Sequence, residues 1–264
     1  MPDDLPLSGL TLVLTRPRQQ GERTAQALRN AGATVVEMPM LEILPRPCRV
    51  DRAMLNSAYA AIFVSANAVE HGVPCLNDNG GLPVGTLIAA IGHATSRALN
   101  DAGFADVVSP QQSIDSEGLL AVPQLQQAQI KGQHVVLVRG ASAGGGRKLI
   151  EETLMARGAT VIVMECYERR ELPAGPGQIE FFFNGMKSNF AVTVLSVETL
   201  DSLMNSFASH ETLLKSAGLL VPHERVAAAA KERGFANVHE IPMSAEALIP
   251  ALHALKSRLV ARTT

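Results

Sequence analysis

Short apolar runs alternate along the chain with polar stretches of helical period, and most of those stretches end at a glycine. Two segments share this plan closely. "TLVLTRPRQQGERTAQALRNAGATVVEMP" begins at Thr11, and "HVVLVRGASAGGGRKLIEETLMARGATVIVME" begins at His134. Each reads as strand, arginine (Arg16, Arg139), loop, helix, a "GATV" turn at Gly32 or Gly158, and a second strand. A second pair follows the same logic. "YAAIFVSANAV" from Tyr59 matches "FAVTVLSVETL" from Phe190, with Ser65 and Ser196 each ending an apolar run. "IAAIGHATSRALNDAGFADVVSP" then matches "LLVPHERVAAAAKERGFANVHEIP", sharing the turns Gly103-Phe104 and Gly234-Phe235.

The order is therefore A, B, A′, B′, with two strands in A and three in B. Near-continuous apolar strands alternating with helices predict parallel sheets covered on both faces. Two strands from A and three from B make one five-stranded, doubly wound, flavodoxin-like sheet. Pairing A with B is the simple division. Pairing B with A′ instead makes the middle of the chain an inserted domain and leaves the ends to form the other. "MLEILPRPCR" and "ECYERREL" favour the second, since both follow matching strands and would cross between domains side by side. The expected boundaries are a discontinuous domain of residues 1–40 and 173–264, an inserted domain of residues 50–164, and linkers at 41–49 and 165–172.

Composition narrows the function. The formal net charge is −2 and aromatics make up 4% of the chain, so neither a polyanion-binding surface nor a base-stacking platform is expected. No apolar stretch reaches the ~18–20 residues that span a bilayer. The acidic start "MPDDLPLSGL" does not read as a signal peptide, and three widely spaced cysteines predict no disulfide framework. A cytoplasmic protein is expected. The seven histidines form no HxH or HExxH, and there is no CxxC, so no metal site is expected. "RGASAGGGRKL" fails the P-loop pattern; it leaves a Gly-rich strand-to-helix loop with Arg139, Gly140 and Arg147 beside it, an anion site or only a tight turn.

Loop-to-helix junctions after strands carry the remaining polar candidates. They are Ser65 and Asn67 in "SANAV", Gly92 and Thr95 in "IGHATSRAL", Ser113 and Ser116 in "SIDSEG", Ser196, and Arg225 in "PHERVA". The plain role of the hydroxyls Ser65 and Thr95 is helix capping. They also lie at the carboxyl ends of parallel strands, where open α/β sheets bind ligands. One of only two tyrosines, Tyr167, sits where the run from Thr160 meets charge. Its plain role is a ring on the core with a wet hydroxyl.

Taken in order, "LVLTRP", "FVSANAV", "IGHATSRAL", "SEGLL", "VLVRG" and "MECYERR" resemble the uroporphyrinogen-III synthase family over essentially the whole chain. The resemblance implies two α/β domains joined by a two-stranded linker, with the active site in the interdomain cleft. It implies a cyclising lyase that takes hydroxymethylbilane to uroporphyrinogen III, losing the hydroxyl and inverting ring D through a spiro intermediate, without cofactor or metal. It assigns the catalytic tyrosine to Tyr167 and substrate-binding hydroxyls to Thr95, Ser65 and Ser196. Where many members carry a second threonine this chain has Val226, which puts a hydroxyl role there in doubt. Eight substrate carboxylates would call on helix-start amides, on Ser65, Thr95 and Ser113, and on Arg16, Arg139 and Arg147. A monomer is expected, with transient hand-over from the upstream bilane-forming enzyme. Two rival readings remain: a non-catalytic two-domain binder of small anions, and an FMN module, which the scarcity of aromatics disfavours.

Overall fold

A computed structural model describes residues 5–48, 50–111, 115–141, 148–185 and 189–260. Ser113 and Arg147 lie outside the described residues. The elements run β1 (Leu10–Leu14), α1 (Arg18–Asn30), β2 (Thr34–Glu37), β3 (Leu41–Pro45), α2 (Arg52–Leu55), β4 (Ala58–Phe63), α3 (Ala66–Asp78) and β5 (Leu87–Ala90). There follow α4 (His93–Asp101), α5 (Ser116–Ala121), α6 (Gln127–Ile130), β6 (His134–Gly140), α7 (Leu149–Ala156) and β7 (Thr160–Glu171). The chain ends with α8 (Pro176–Gly185), β8 (Asn189–Thr193), α9 (Val197–Ser206), α10 (Glu211–Leu214), β9 (Gly218–Val221), α11 (Glu224–Glu232), β10 (Val238–Glu240) and α12 (Ala245–Val260).

Two compact units result, one of Met1–Glu42 with Arg170–Thr264 and one of Ile43–Arg169. The first holds a sheet of order β10-β9-β8-β1-β2, parallel at every pairing. Its faces are both covered because side chains alternate along each strand. Leu10, Leu12 and Leu14 of β1 enter one core cluster, while Val13 enters the other. The second sheet has the order β3-β7-β6-β4-β5. Its pairs β7-β6, β6-β4 and β4-β5 are parallel. Val136 and Val138 of β6 face one core and Val135 and Leu137 the other. Full burial of each such side chain contributes about 1.5–3 kcal/mol.

β3 and β7 are also the segments where the chain passes between the units. The Arg46 N–H donates to the Cys166 carbonyl (2.9 Å) and the Leu172 N–H to the Met40 carbonyl (2.9 Å). Partner numbers rise on one strand as they fall on the other, so this ladder is antiparallel.

The repeat is visible in how four helices stop. Gly32, Gly103, Gly158 and Gly234 all have φ near +90°. In each case the glycine N–H and the next N–H reach back into the helix, as with Gly103 to Asn100 and Phe104 to Leu99 (both 3.0 Å). This is the left-handed helix stop that glycine adopts without a Cβ penalty. The first B copy departs from its expected three strands. Its third is reduced to a single Ala89–Val108 bridge, because Pro110, the next position that would donate to the ladder, has no N–H. The cysteine expectation also needs correction. Cys48 and Cys75 are disulfide-bonded, with Cα atoms 5.9 Å apart, a pairing that 27 residues of separation do not advertise.

Candidate active site

Within the Ile43–Arg169 unit, the carboxyl ends of β4, β6 and β7 bring three of the predicted residues together. β6 and β7 pair in step up to Arg139–Glu165, and then Gly140 pairs with Tyr167. Cys166 is thus an extra residue, a bulge in a parallel ladder. Regular alternation would send Cys166 and Tyr167 to opposite faces. The bulge turns both into one core cluster, where they are 1% and 2% exposed.

The re-aimed phenol meets Ser65, with its oxygen 3.1 Å from the Ser65 Oγ. Ser65 has extended backbone and caps α3, its Oγ accepting from the Ala68 N–H at 3.0 Å. The capping role expected of such a serine is therefore present, and the phenol is added to it. The ring lies so close to Gly140 that a Cβ there would sit 2.5 Å from two ring carbons and 3.0 Å from the hydroxyl. Glycine is needed at Gly140 for close approach. The Arg169 guanidinium carbon stands 5.8 Å from the ring centroid, within cation–π range. Tyr167 is thus a core ring, as its plain reading held, but its hydroxyl is bonded to protein.

The other candidates in this unit lie on the same strand-end side. Asn67 is in the first turn of α3. Gly92 precedes α4 and Thr95, 3% exposed, is in its first turn after β5. Ser116 opens α5, but the cap is Asp115, which accepts from the Gly118 N–H at 2.7 Å. A cavity of about 680 Å³ borders this helix, lined in part by Ser109, Glu117 and Gly118; neither Ser65 nor Tyr167 lines it. Arg139 carries two carboxylates, Glu151 on α7 at 3.1 Å and Glu165 on β7 at 3.4 Å. That is the ion pair of its plain reading, and its charge is largely balanced.

In the unit formed by the chain ends, Ser196 caps α9 as Ser65 caps α3, accepting from Thr199 at 3.1 Å. Arg16 follows β1 and donates to the Met243 carbonyl at 2.9 Å. Burial lowers its pKa. Arg225 is exposed in the first turn of α11, and the neighbouring Val226 is fully buried. The position matching Thr95 is therefore core in both copies, apolar in one and hydroxylated in the other.

Two features here were not foreseen. His71, on α3, packs its ring against that of Tyr167, the centroids 5.8 Å apart and the planes tilted by 39°. The bulge residue Cys166 is the free cysteine among the described residues, and burial pushes its thiol up to about 11. At pH 8 its thiolate fraction is on the order of one in a thousand. Iodoacetamide is expected to leave the native chain unlabelled and to modify Cys166 once it unfolds; rapid native labelling would contradict the burial. The pH consequence has a definite sign. The unfolded thiol titrates near 9.0 and the folded one near 11, so this contribution to stability is intact below pH 9 and fades towards pH 11.

The model of the family "Uroporphyrinogen-III synthase HemD" matches residues 22–249. The uroporphyrinogen-III synthases of Salmonella typhimurium and Escherichia coli are each 30% identical over 236 residues, covering 87% of this chain and 94% of theirs. Among solved structures, uroporphyrinogen-III synthetase from Helicobacter pylori has a TM-score of 0.60 at 15% identity, covering 93% of this chain and 99% of that one. A mutant uroporphyrinogen III synthase from Thermus thermophilus has a TM-score of 0.58 at 14% identity, covering 94% and 99%. At such identities the structural likeness speaks for the α/β fold, while the sequence matches speak for the family. On the family model and these relatives together, the chain belongs to the uroporphyrinogen-III synthase family.

Proposed function

We propose that the chain closes hydroxymethylbilane to uroporphyrinogen III with Tyr167 as the proton donor to the departing hydroxyl. Synthase activity follows from family membership and decides against a non-catalytic anion binder. The assignment to Tyr167 rests on one observation, a phenol delivered by a bulge onto the hydroxyl that caps a strand-end helix.

The chemistry asks little of acids and bases. The leaving oxygen sits on a carbon bearing an electron-rich pyrrole, whose nitrogen lone pair expels it. As the C–O bond breaks, the phenol proton goes to that oxygen and water departs. Ser65, able to donate or accept towards Tyr167, donates to the phenolate so formed. Ring D first bonds to the carbon that lost the hydroxyl through the α-carbon already linked to ring C, giving a spiro intermediate; its bond to the ring C bridge carbon then breaks, and that bridge carbon re-bonds to ring D's free α-carbon, which inverts the ring. The proton it sheds on regaining aromaticity returns to the phenolate. Closure without the enzyme leaves ring D uninverted, so control of geometry is the larger part of the task.

The two units are read as flavodoxin-like domains of the family plan. The order β2-β1-β8-β9-β10 supports this, being the doubly wound order for the first unit. The first unit would contribute Arg16, Ser196 and Arg225 to substrate carboxylates. The second would contribute Asn67, Thr95, Ser116 and the amides at Gly92. Arg139, already paired, would fix the end of β6, and Gly140 would seat the phenol. The reaction rate tests the proposal. Loss of hydroxymethylbilane is expected to accelerate in proportion to enzyme added, and an unchanged spontaneous rate would overturn it.

A further inference from the structure

We propose that His71 is a positioning residue for Tyr167, acting through the packing of its ring and not through its Nε2. This rests on the catalytic reading of Tyr167 and goes beyond it.

α3 reaches this place by an unusually close seat on the sheet. A Cβ on Gly72 would lie 2.4 Å from a Val138 methyl and 3.4 Å from the Cys166 sulfur and the Met164 terminal methyl. Glycine at Gly72 thus lets α3 settle onto β6 and β7 beside the bulge. Its neighbour in sequence, His71, then places its ring 5.8 Å from the Tyr167 ring at an angle of 39°. The same helix carries Ser65 at its cap, so one rigid element supplies both the hydroxyl's partner and a wall for the ring.

The choice between shape and hydrogen bonding follows from the imidazole itself. Its Nε2 is buried and has no hydrogen-bond partner among the described residues. A buried nitrogen without a partner costs stability, and it transmits no polar contact to the phenol. What reaches Tyr167 is ring against ring. With Gly140 allowing close approach on β6, this contact restricts the phenol to the setting in which it meets Ser65.

The chain offers a clean probe, because Tyr59 is the other tyrosine and there is no tryptophan. In a Tyr59→Phe background, subtracting the near-ultraviolet circular dichroism of the Tyr59→Phe/Tyr167→Phe variant isolates Tyr167, because the Cys48–Cys75 disulfide and the other phenylalanines contribute alike to both. His71→Ala is expected to weaken that band. It should lower kcat about tenfold with KM changed less than about twofold, and raise the share of isomer I. His71→Phe is expected to restore band, kcat and isomer ratio and to melt no lower than the parent. A folded His71→Ala with the parent's band and isomer ratio would overturn the proposal. So would a folded His71→Phe as impaired as the alanine variant, which would assign the role to a nitrogen. If His71→Ala does not fold, His71→Phe alone decides in the same way. Should the parent make no isomer III, the function fails on that result, while the dichroism still tests the seating of the ring.

Discussion

Tyr167→Phe is expected to lower kcat for isomer III by about a hundredfold, the usual order for losing a general acid. Stability should change by no more than about 1 kcal/mol, the net value of one hydrogen bond. The asymmetry comes from the geometry. Phenylalanine keeps the ring that fills the core beside Gly140, His71 and Arg169. Ser65 is not stranded either, since its Oγ still accepts from the Ala68 N–H. What disappears is the proton that meets the leaving oxygen. Wild-type turnover in a folded Tyr167→Phe would remove the phenol from the mechanism.

Gly140→Ala should lack that asymmetry, with a large effect on stability as well as on turnover. Its methyl would sit 2.5 Å from two Tyr167 ring carbons, closer than real contacts allow. Either the ring swings away from Ser65 or β6 and β7 part at the bulge. Overpacking of this kind costs about 1–3 kcal/mol, and displacing the phenol by about 1 Å costs on the order of a hundredfold in rate. Made in the Tyr167→Phe background, the same change should lower the melting temperature again but reduce turnover little further. Both substitutions disable one device, and their effects on rate should not add. Additive losses in rate would mean Gly140 serves substrate by some route other than Tyr167.

Much of the fold was legible because its signals are local. Apolar runs gave the strands, and the four glycine turns gave the helix ends, each confirmed by φ near +90°. The short Val107-Val108 run looked like a strand; Pro110 denied it the next ladder N–H. At the site, Ser65 was legible as a cap and Tyr167 as a tyrosine oddly placed among charges. Their meeting was not, since 102 residues separate them. The bulge was hidden for a physical reason. The run from Thr160 to Tyr167 shows little alternation, so nothing in it marks Cys166 as the residue where the register slips. The partners of Arg139 were equally invisible, because Glu151 and Glu165 approach from a helix and a neighbouring strand. His71 carried no signal as a lone histidine in a helix. Its position depends on Gly72, whose role is seen only once α3 is seated on the sheet.

The most direct test of the whole account is the identity of the product. Purified protein is given fresh hydroxymethylbilane, the products are oxidised to porphyrins, and isomers I and III are separated by chromatography beside an enzyme-free control. The account predicts that isomer III dominates with the enzyme and isomer I without it. Faster closure that yields isomer I alone would contradict it, because the chain would then accelerate ring closure without inverting ring D.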